Sequence, residues 1–372
     1  MIKNNNRIHY IDGVRVTFAF MGIMFHIAYW YLPNSQKLLT INEFSYSKTC
    51  YWITEIIHLF RMDSFFLIAG FFAAMGLSKL NFRDFLLSRM HRLHILNIVP
   101  VIFLITTLIV YLLGISRGNL NPLSGDYWHA LIFMHHLWFL FLLFIQYYIY
   151  GYLLKNSKFI DILVNKIKPA HVLLLGLVFI VWAILAKLFP ILWSRNSGVE
   201  VFYRLFIYLP YFMLGAVMYH NRKVAESFMQ LNWIRLLFCF AIISIYLYFI
   251  NMKFGLTTGD VESFYAVKLT IYVLHGFAAL CAIYLIFVGS VGLFKKDSKV
   301  LKYLANRSYT VYLLHFPFCL VVGYFFTKVN FNPILEYTVS VFLIYGVTLL
   351  MHDVLMKLIN LKPAKLKVME PN

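Results

Sequence analysis

Long apolar runs punctuate the chain at 12–32, 51–75, 94–114, 129–153, 170–188, 204–219, 234–251, 265–289, 308–327 and 336–357, with short polar segments between them. Most are as long as a helix needs to cross the hydrocarbon layer, ~20 residues. The pattern predicts an all-α integral membrane protein of about ten transmembrane helices in a single domain spanning residues 1–372. The run at 204–219 is the weakest, because Pro210 removes a backbone donor inside it; a re-entrant loop is the alternative there. Lys3 and Arg7 precede the first run, yet Arg15 lies inside it and no small-residue cleavage site follows, so the expectation is a retained helix and not a removed signal.

The basic residues sort these runs by direction. If odd-numbered helices run outward, the cytoplasmic segments collect Lys79, Arg83, Arg89 and Arg92, then Lys155, Lys158, Lys166 and Lys168, then the cluster from Lys295 to Arg307, and finally Lys357 to Lys367. Most of the 33 Lys and Arg residues fall on that side. The bias of cytoplasmic loops towards Lys and Arg therefore predicts that both chain ends are cytoplasmic. It also supports the weak sixth helix, since dropping one span would invert every later loop.

Composition strengthens this picture. Hydrophobic residues make up 62% of the chain and charged ones 13%, against ~45–50% and ~25% in soluble domains. The net charge of +18 does not point to nucleic acid, because the cations sit in short clusters between apolar runs and not on one soluble face. Cys50, Cys239, Cys281 and Cys319 show neither CxxC nor metal-type spacing.

Ionisable groups inside apolar runs cost several kcal/mol unless paired or hydrated, so each is a functional candidate. The first run holds Arg15 and His26, eleven residues or ~16 Å apart along a helix and close to one face. The second holds Glu55, His58 and Arg61 at every third position, a slowly drifting stripe, with Asp63 pointing elsewhere. Running inward, it brings Arg61 to the depth of His26. A shared water-accessible cavity is favoured over a purely structural ion-pair network. Arg89 and Arg92 lie on one face just before the third run, as membrane anchors or as a phosphate clamp, since guanidinium forks bind phosphate bidentately. The fourth run carries His135, His136 and Trp138, the ninth Ser308, Tyr312 and His315, and the eighth a lone His275 for which packing is the favoured role. No HExxH or close ligand set suggests a metal.

These residues resemble acyltransferase family 3. Arg15, ten residues, then His26 matches its Arg–ten–His motif, and Arg89-x-x-Arg92 its Arg-x-x-Arg element. The segments HLFRMDSFFLIAGFF (58–72), HHLWFLFLLFIQYY (135–148) and SYTVYLLHFP (308–317) resemble the glucans biosynthesis protein C branch. Two departures stand out: Leu143 occupies the place of a fourth-helix Glu, and Ala69-Gly70 that of Ser-Gly.

The resemblance implies an enzyme of the bacterial cytoplasmic membrane. It would move an acyl group, acetyl or succinyl, from cytoplasmic acyl-CoA to a hydroxyl of an extracytoplasmic carbohydrate or glucan. No cofactor would be permanently bound, and the lipid bilayer would be its setting. His26 would act as general base or covalent acyl relay, with Arg15 and Arg61 beside it. Arg61 would face the oxyanion, Arg89 and Arg92 would hold the donor, and Glu55, His58, Trp138, Tyr312 and His315 would line the acceptor cavity. The alternative is a transporter using the same cavity, with His26 and Glu55 as proton relay groups.

Overall fold

The computed structural model describes residues 9–32, 47–116, 135–168, 197–255, 261–294, 298–326 and 332–360, and regular secondary structure among them is helical throughout. The helices are α1 (His9–Ala28, with a 3₁₀ turn at Tyr29–Tyr31), α2 (Lys48–Leu77), α3 (Phe82–Arg92), α4 (Val99–Ser116), α5 (Trp138–Tyr148, continued by a π turn at Ile149–Leu154) and α6 (Lys158–Lys166). They continue with α7 (Ser197–His220), α8 (Arg222–Met229), α9 (Trp233–Gly255), α10 (Val261–Leu293), α11 (Lys299–Phe326) and α12 (Pro333–Asn360). The expected span at 170–188 lies outside the described residues.

Six of these helices are long and apolar enough to cross a membrane, within α1, α2, α9, α10, α11 and α12. The α5–α6 pair makes a seventh if its two parts, bent by 99°, count as one. Residues Val99–Leu113 form a shorter apolar helix. The chain is thus an all-α, multi-pass type of molecule. Several boundaries moved from expectation, two of them for evident local reasons. The third span begins at Val99 and not at 94, because His94 takes a left-handed backbone (φ 48°) in the turn after α3, and Pro100 suits only a helix's first turn. The ninth begins nine residues early, at Lys299, since a helix can project polar side chains past the apolar zone.

The α2–α7 contact forms the spine of the bundle. A Cβ on Gly70 would strike the Phe212 carbonyl, and one on Gly215 would strike that of Leu67. Reciprocal glycines let the two backbones touch, as small residues do where helices pack inside membranes. α7 runs through Pro210 without a break in its helical assignment.

Polar contacts pin the helix ends into two groups. In one, Lys155 Nζ donates to the Leu77 carbonyl, Ser78 bonds Tyr219 (2.7 Å), Tyr150 bonds His220 (3.0 Å) and Arg307 pairs with Asp353 (2.6 Å). In the other, Tyr31 donates to Glu336 (3.1 Å) and Lys253 faces Glu55 (3.8 Å). The first group carries the amphipathic helices α3, α6 and α8; local side chains cap α3 and α8, Asn81 accepting from Asp84 N–H and Asn221 from Val224 N–H.

Candidate active site

Three histidines and one arginine converge between α1, α2, α5 and α11. The His26 ring lies 5.2 Å from that of His315 and 4.9 Å from Phe316, centroid to centroid, and His136 lies 5.3 Å from His315. Arg61 and His136 are both within electrostatic reach of His26. The Arg61 guanidinium stacks 4.1 Å above the Phe25 ring, and no carboxylate pairs with it among the described residues.

The orientation of two of these imidazoles follows from backbone carbonyls of α11, one of them freed by a proline. Pro317 lies inside α11 and has no N–H to give the Leu313 carbonyl one turn back. That freed carbonyl accepts from His136 Nε2–H at 2.9 Å. His315 Nδ1–H donates to the Tyr312 carbonyl at 2.6 Å, and the Tyr312 hydroxyl donates to the His136 carbonyl at 2.6 Å. A carbonyl only accepts, so both histidine tautomers are fixed by their partners. The HFP triplet at 315–317 carried this signal in the sequence, and Pro317 was not expected among the site residues.

A second polar group lies across α2. Asp63, 1% exposed, faces His275 at 3.6 Å, and the Tyr211 hydroxyl lies within its electrostatic reach. His275 is therefore a polar partner of Asp63, where sequence spacing favoured packing. His58 is exposed; its ring lies 6.0 Å from that of Phe25, and His275, Arg61, Lys253 and Arg204 are within its electrostatic reach. Glu55 pairs with Lys253 of α9.

Trp138 is part of a stack and not an isolated belt residue. Arg204 covers its ring at 4.3 Å, Tyr208 stacks on it at 5.8 Å, and Phe66 stacks on Tyr208 at 4.8 Å. Aromatic faces beside cations suit the C–H faces and hydroxyls of a sugar.

The other expected residues lie apart from the histidine cluster. Arg15, 38% exposed, pairs with Asp12 at 3.5 Å near the start of α1, about three turns from His26. Arg89 donates to the Phe72 carbonyl at 3.0 Å and lies over Phe85 at 5.1 Å. Arg92 is exposed one turn further on. At the end of the same segment, burial and the neighbouring His91 lower the pKa of His94, favouring its neutral ring. Among the described residues no group of three His, Cys, Asp or Glu is placed to hold a metal ion.

The family model for the acyltransferase domain of acyltransferase family 3 matches residues 8–353. The chain belongs to acyltransferase family 3. Curated relatives include glucans biosynthesis protein C of Salmonella schwarzengrund and of Salmonella typhi, each 24% identical over 96% of this chain and 94% of the relative. No solved structure matches. The family match covers the histidine cluster, the Asp63–His275 pair and the Arg89–Arg92 element in one continuous stretch, and it makes the chain a membrane acyltransferase.

Proposed function

We propose that this acyltransferase moves an acyl group, acetyl or succinyl, from cytoplasmic acyl-CoA to a hydroxyl of an extracytoplasmic carbohydrate or glucan. We place it in the bacterial cytoplasmic membrane, as one domain with ten spans and both ends inside. The glucan in the relatives' name favours that acceptor class. The observation that carries the reading is Arg61: a cation inside the bundle, with no carboxylate partner among the described residues, beside three imidazoles.

The division of labour follows from charge. A CoA thioester carries phosphates that do not enter hydrocarbon, so Arg89 and Arg92 hold them at the inner surface. The pantetheine arm carries the thioester along α1 past Arg15 to His26. His26, as a neutral imidazole, takes the acceptor hydroxyl's proton as the oxygen attacks the carbonyl. Arg61 balances the oxyanion of the tetrahedral intermediate. His58 and Glu55 line the acceptor cavity, and the Trp138–Arg204 stack offers a platform for the sugar.

The test uses detergent-purified protein with acetyl- or succinyl-CoA labelled in the acyl group, plus a glucan acceptor. Wild type transfers label and releases CoA, while His26→Ala loses at least ~10²-fold, the lower end of general-base contributions. Label trapped on His26 itself would replace the base by a covalent relay. A folded protein that neither binds nor cleaves any acyl-CoA would overturn the reading in favour of a transporter.

A further inference from the structure

His315 holds a bare nitrogen inside the site. Its Nδ1–H is committed to the Tyr312 carbonyl, so in the neutral ring Nε2 carries only a lone pair. That nitrogen is buried without a hydrogen-bond partner among the described residues, in a side chain 2% exposed. Orphaned buried polar atoms are uncommon and costly, so one beside a reaction centre calls for a role. Its direction is known from α1: a Cβ on Gly22 would sit 3.6 Å from Nε2. Gly22 and His26 are one helical turn apart on the same face. The bare nitrogen therefore faces the strip of α1 that presents His26, whose ring is 5.2 Å away.

We infer that His315 is a positioning and relay residue that accepts the second ring proton of His26. The inference rests on the proposed acyl transfer with His26 as base. The acceptor O–H bond breaks as a new N–H bond forms on His26. The proton on the other nitrogen of His26 moves, directly or across one bridging oxygen, to His315 Nε2, and the positive charge goes with it. When the C–S bond breaks, the leaving thiolate takes the proton from His26, and His315 returns its own. Both rings end neutral, and the hydroxyl proton ends on CoA as the thiol. The Tyr312 carbonyl makes this possible by holding His315 in the tautomer whose free nitrogen faces α1. Gly22 matters because its missing side chain leaves that approach clear.

The experiment compares wild type, His315→Gln and Gly22→Ala in labelled acyl transfer, with rates measured in mixtures of H₂O and D₂O. Gln retains an acceptor oxygen but cannot carry a proton. The expected result is a ~10²-fold fall in kcat for H315Q, with KM for acyl-CoA within twofold of wild type. The curved proton inventory of wild type, two protons in flight, becomes linear in the variant. A methyl at position 22 makes ordinary contact with the ring, so G22A folds and falls ~10-fold by blocking the approach. ¹⁵N spectra of histidine-labelled protein report the His315 tautomer without any turnover. Wild-type kcat and an unchanged inventory in H315Q, with H26A still inactive, would overturn the relay and leave the acyltransferase reading standing. Transfer that survives in H26A would overturn the base beneath both.

Discussion

Two residues apart on α2, Arg61 and Asp63 both lie inside the bundle, and their surroundings differ in kind. Asp63 has His275 at 3.6 Å, with the Tyr211 hydroxyl in electrostatic reach. Arg61 has the face of Phe25 and three imidazoles, with no carboxylate among the described residues. Helix geometry explains how neighbours diverge: two residues turn the side chain by about 200°, so Asp63 faces α7 and α10 while Arg61 faces α1 and α11. A charge with a protein partner has its reason in the fold. On the proposed mechanism, a charge whose described neighbours are rings has its negative partner supplied during the reaction.

The sharpest way to break this contrast is to remove the cation. Arg61→Met keeps the length and the apolar stem but not the charge. Transfer should fall ~10²–10³-fold, the range for losing one oxyanion donor. The melting temperature should stay level or rise, because an unpaired cation leaves the interior. A variant that keeps its activity and melts lower would make Arg61 structural and dissolve the distinction.

Asp63→Ala tests the other side. It leaves His275 and Tyr211 facing a gap, and polar contacts inside membrane bundles contribute ~0.6 to 1.7 kcal/mol in double-mutant cycles. The expected loss is about 1–2 kcal/mol of stability, read from thermal melts in detergent, with turnover changed by no more than a few-fold. Asp63→Asn with His275→Gln should recover most of that loss, since two amides satisfy each other without charge. A collapse of turnover at full stability would move Asp63 into the chemistry.

The apolar framework was legible because hydrocarbon imposes one rule, a run of apolar residues long enough to cross. The stripe at Glu55, His58 and Arg61 was legible for the same reason, since polar residues stand out against that background. The partners were not. His275 lies 212 positions after Asp63, and no local periodicity joins them. Pro317 was visible as a residue, but its effect depends on which side chain reaches the carbonyl it frees, and that donor, His136, comes from the 3₁₀ turn at His135–Leu137 before α5. The π turn at Ile149–Leu154, which adds a residue to the helix before the 99° bend, likewise leaves no mark in an apolar run. The amphipathic helix α3 was read only as an approach to the next span, because its apolar positions are few and its arginines dominate.

At the Trp138–Arg204 stack the same contrast predicts a smaller effect. Arg204 lies over Trp138, and cation–π contacts contribute ~0.5–2 kcal/mol according to their desolvation. Trp138→Leu should raise KM for the carbohydrate acceptor about 3–10-fold, with donor KM unchanged. An unchanged acceptor KM together with a lowered melting temperature would return Trp138 to a packing role.

The smallest effect is expected at the end of α3, where Arg89 and Arg92 repeat the pairing argument in miniature. Arg89 already gives one N–H to the Phe72 carbonyl and lies over Phe85, so its removal should lower stability and donor affinity together. Arg92 is exposed and has no partner among the described residues. A phosphate at this surface would be its main reason for being arginine. Arg92→Ala should raise KM for acyl-CoA about threefold and leave the melt unmoved. Arg92→Lys should recover little, since an ammonium supplies the charge but not the planar fork. Salt sharpens the reading: exposed ion contacts weaken as ionic strength rises. The gap between wild type and Arg92→Ala should therefore narrow between low and high salt, while the gap for Arg89→Ala persists through its packing component. Equal salt sensitivity in both variants would mean that the two arginines serve the donor in the same way, and that the Phe72 contact of Arg89 is incidental.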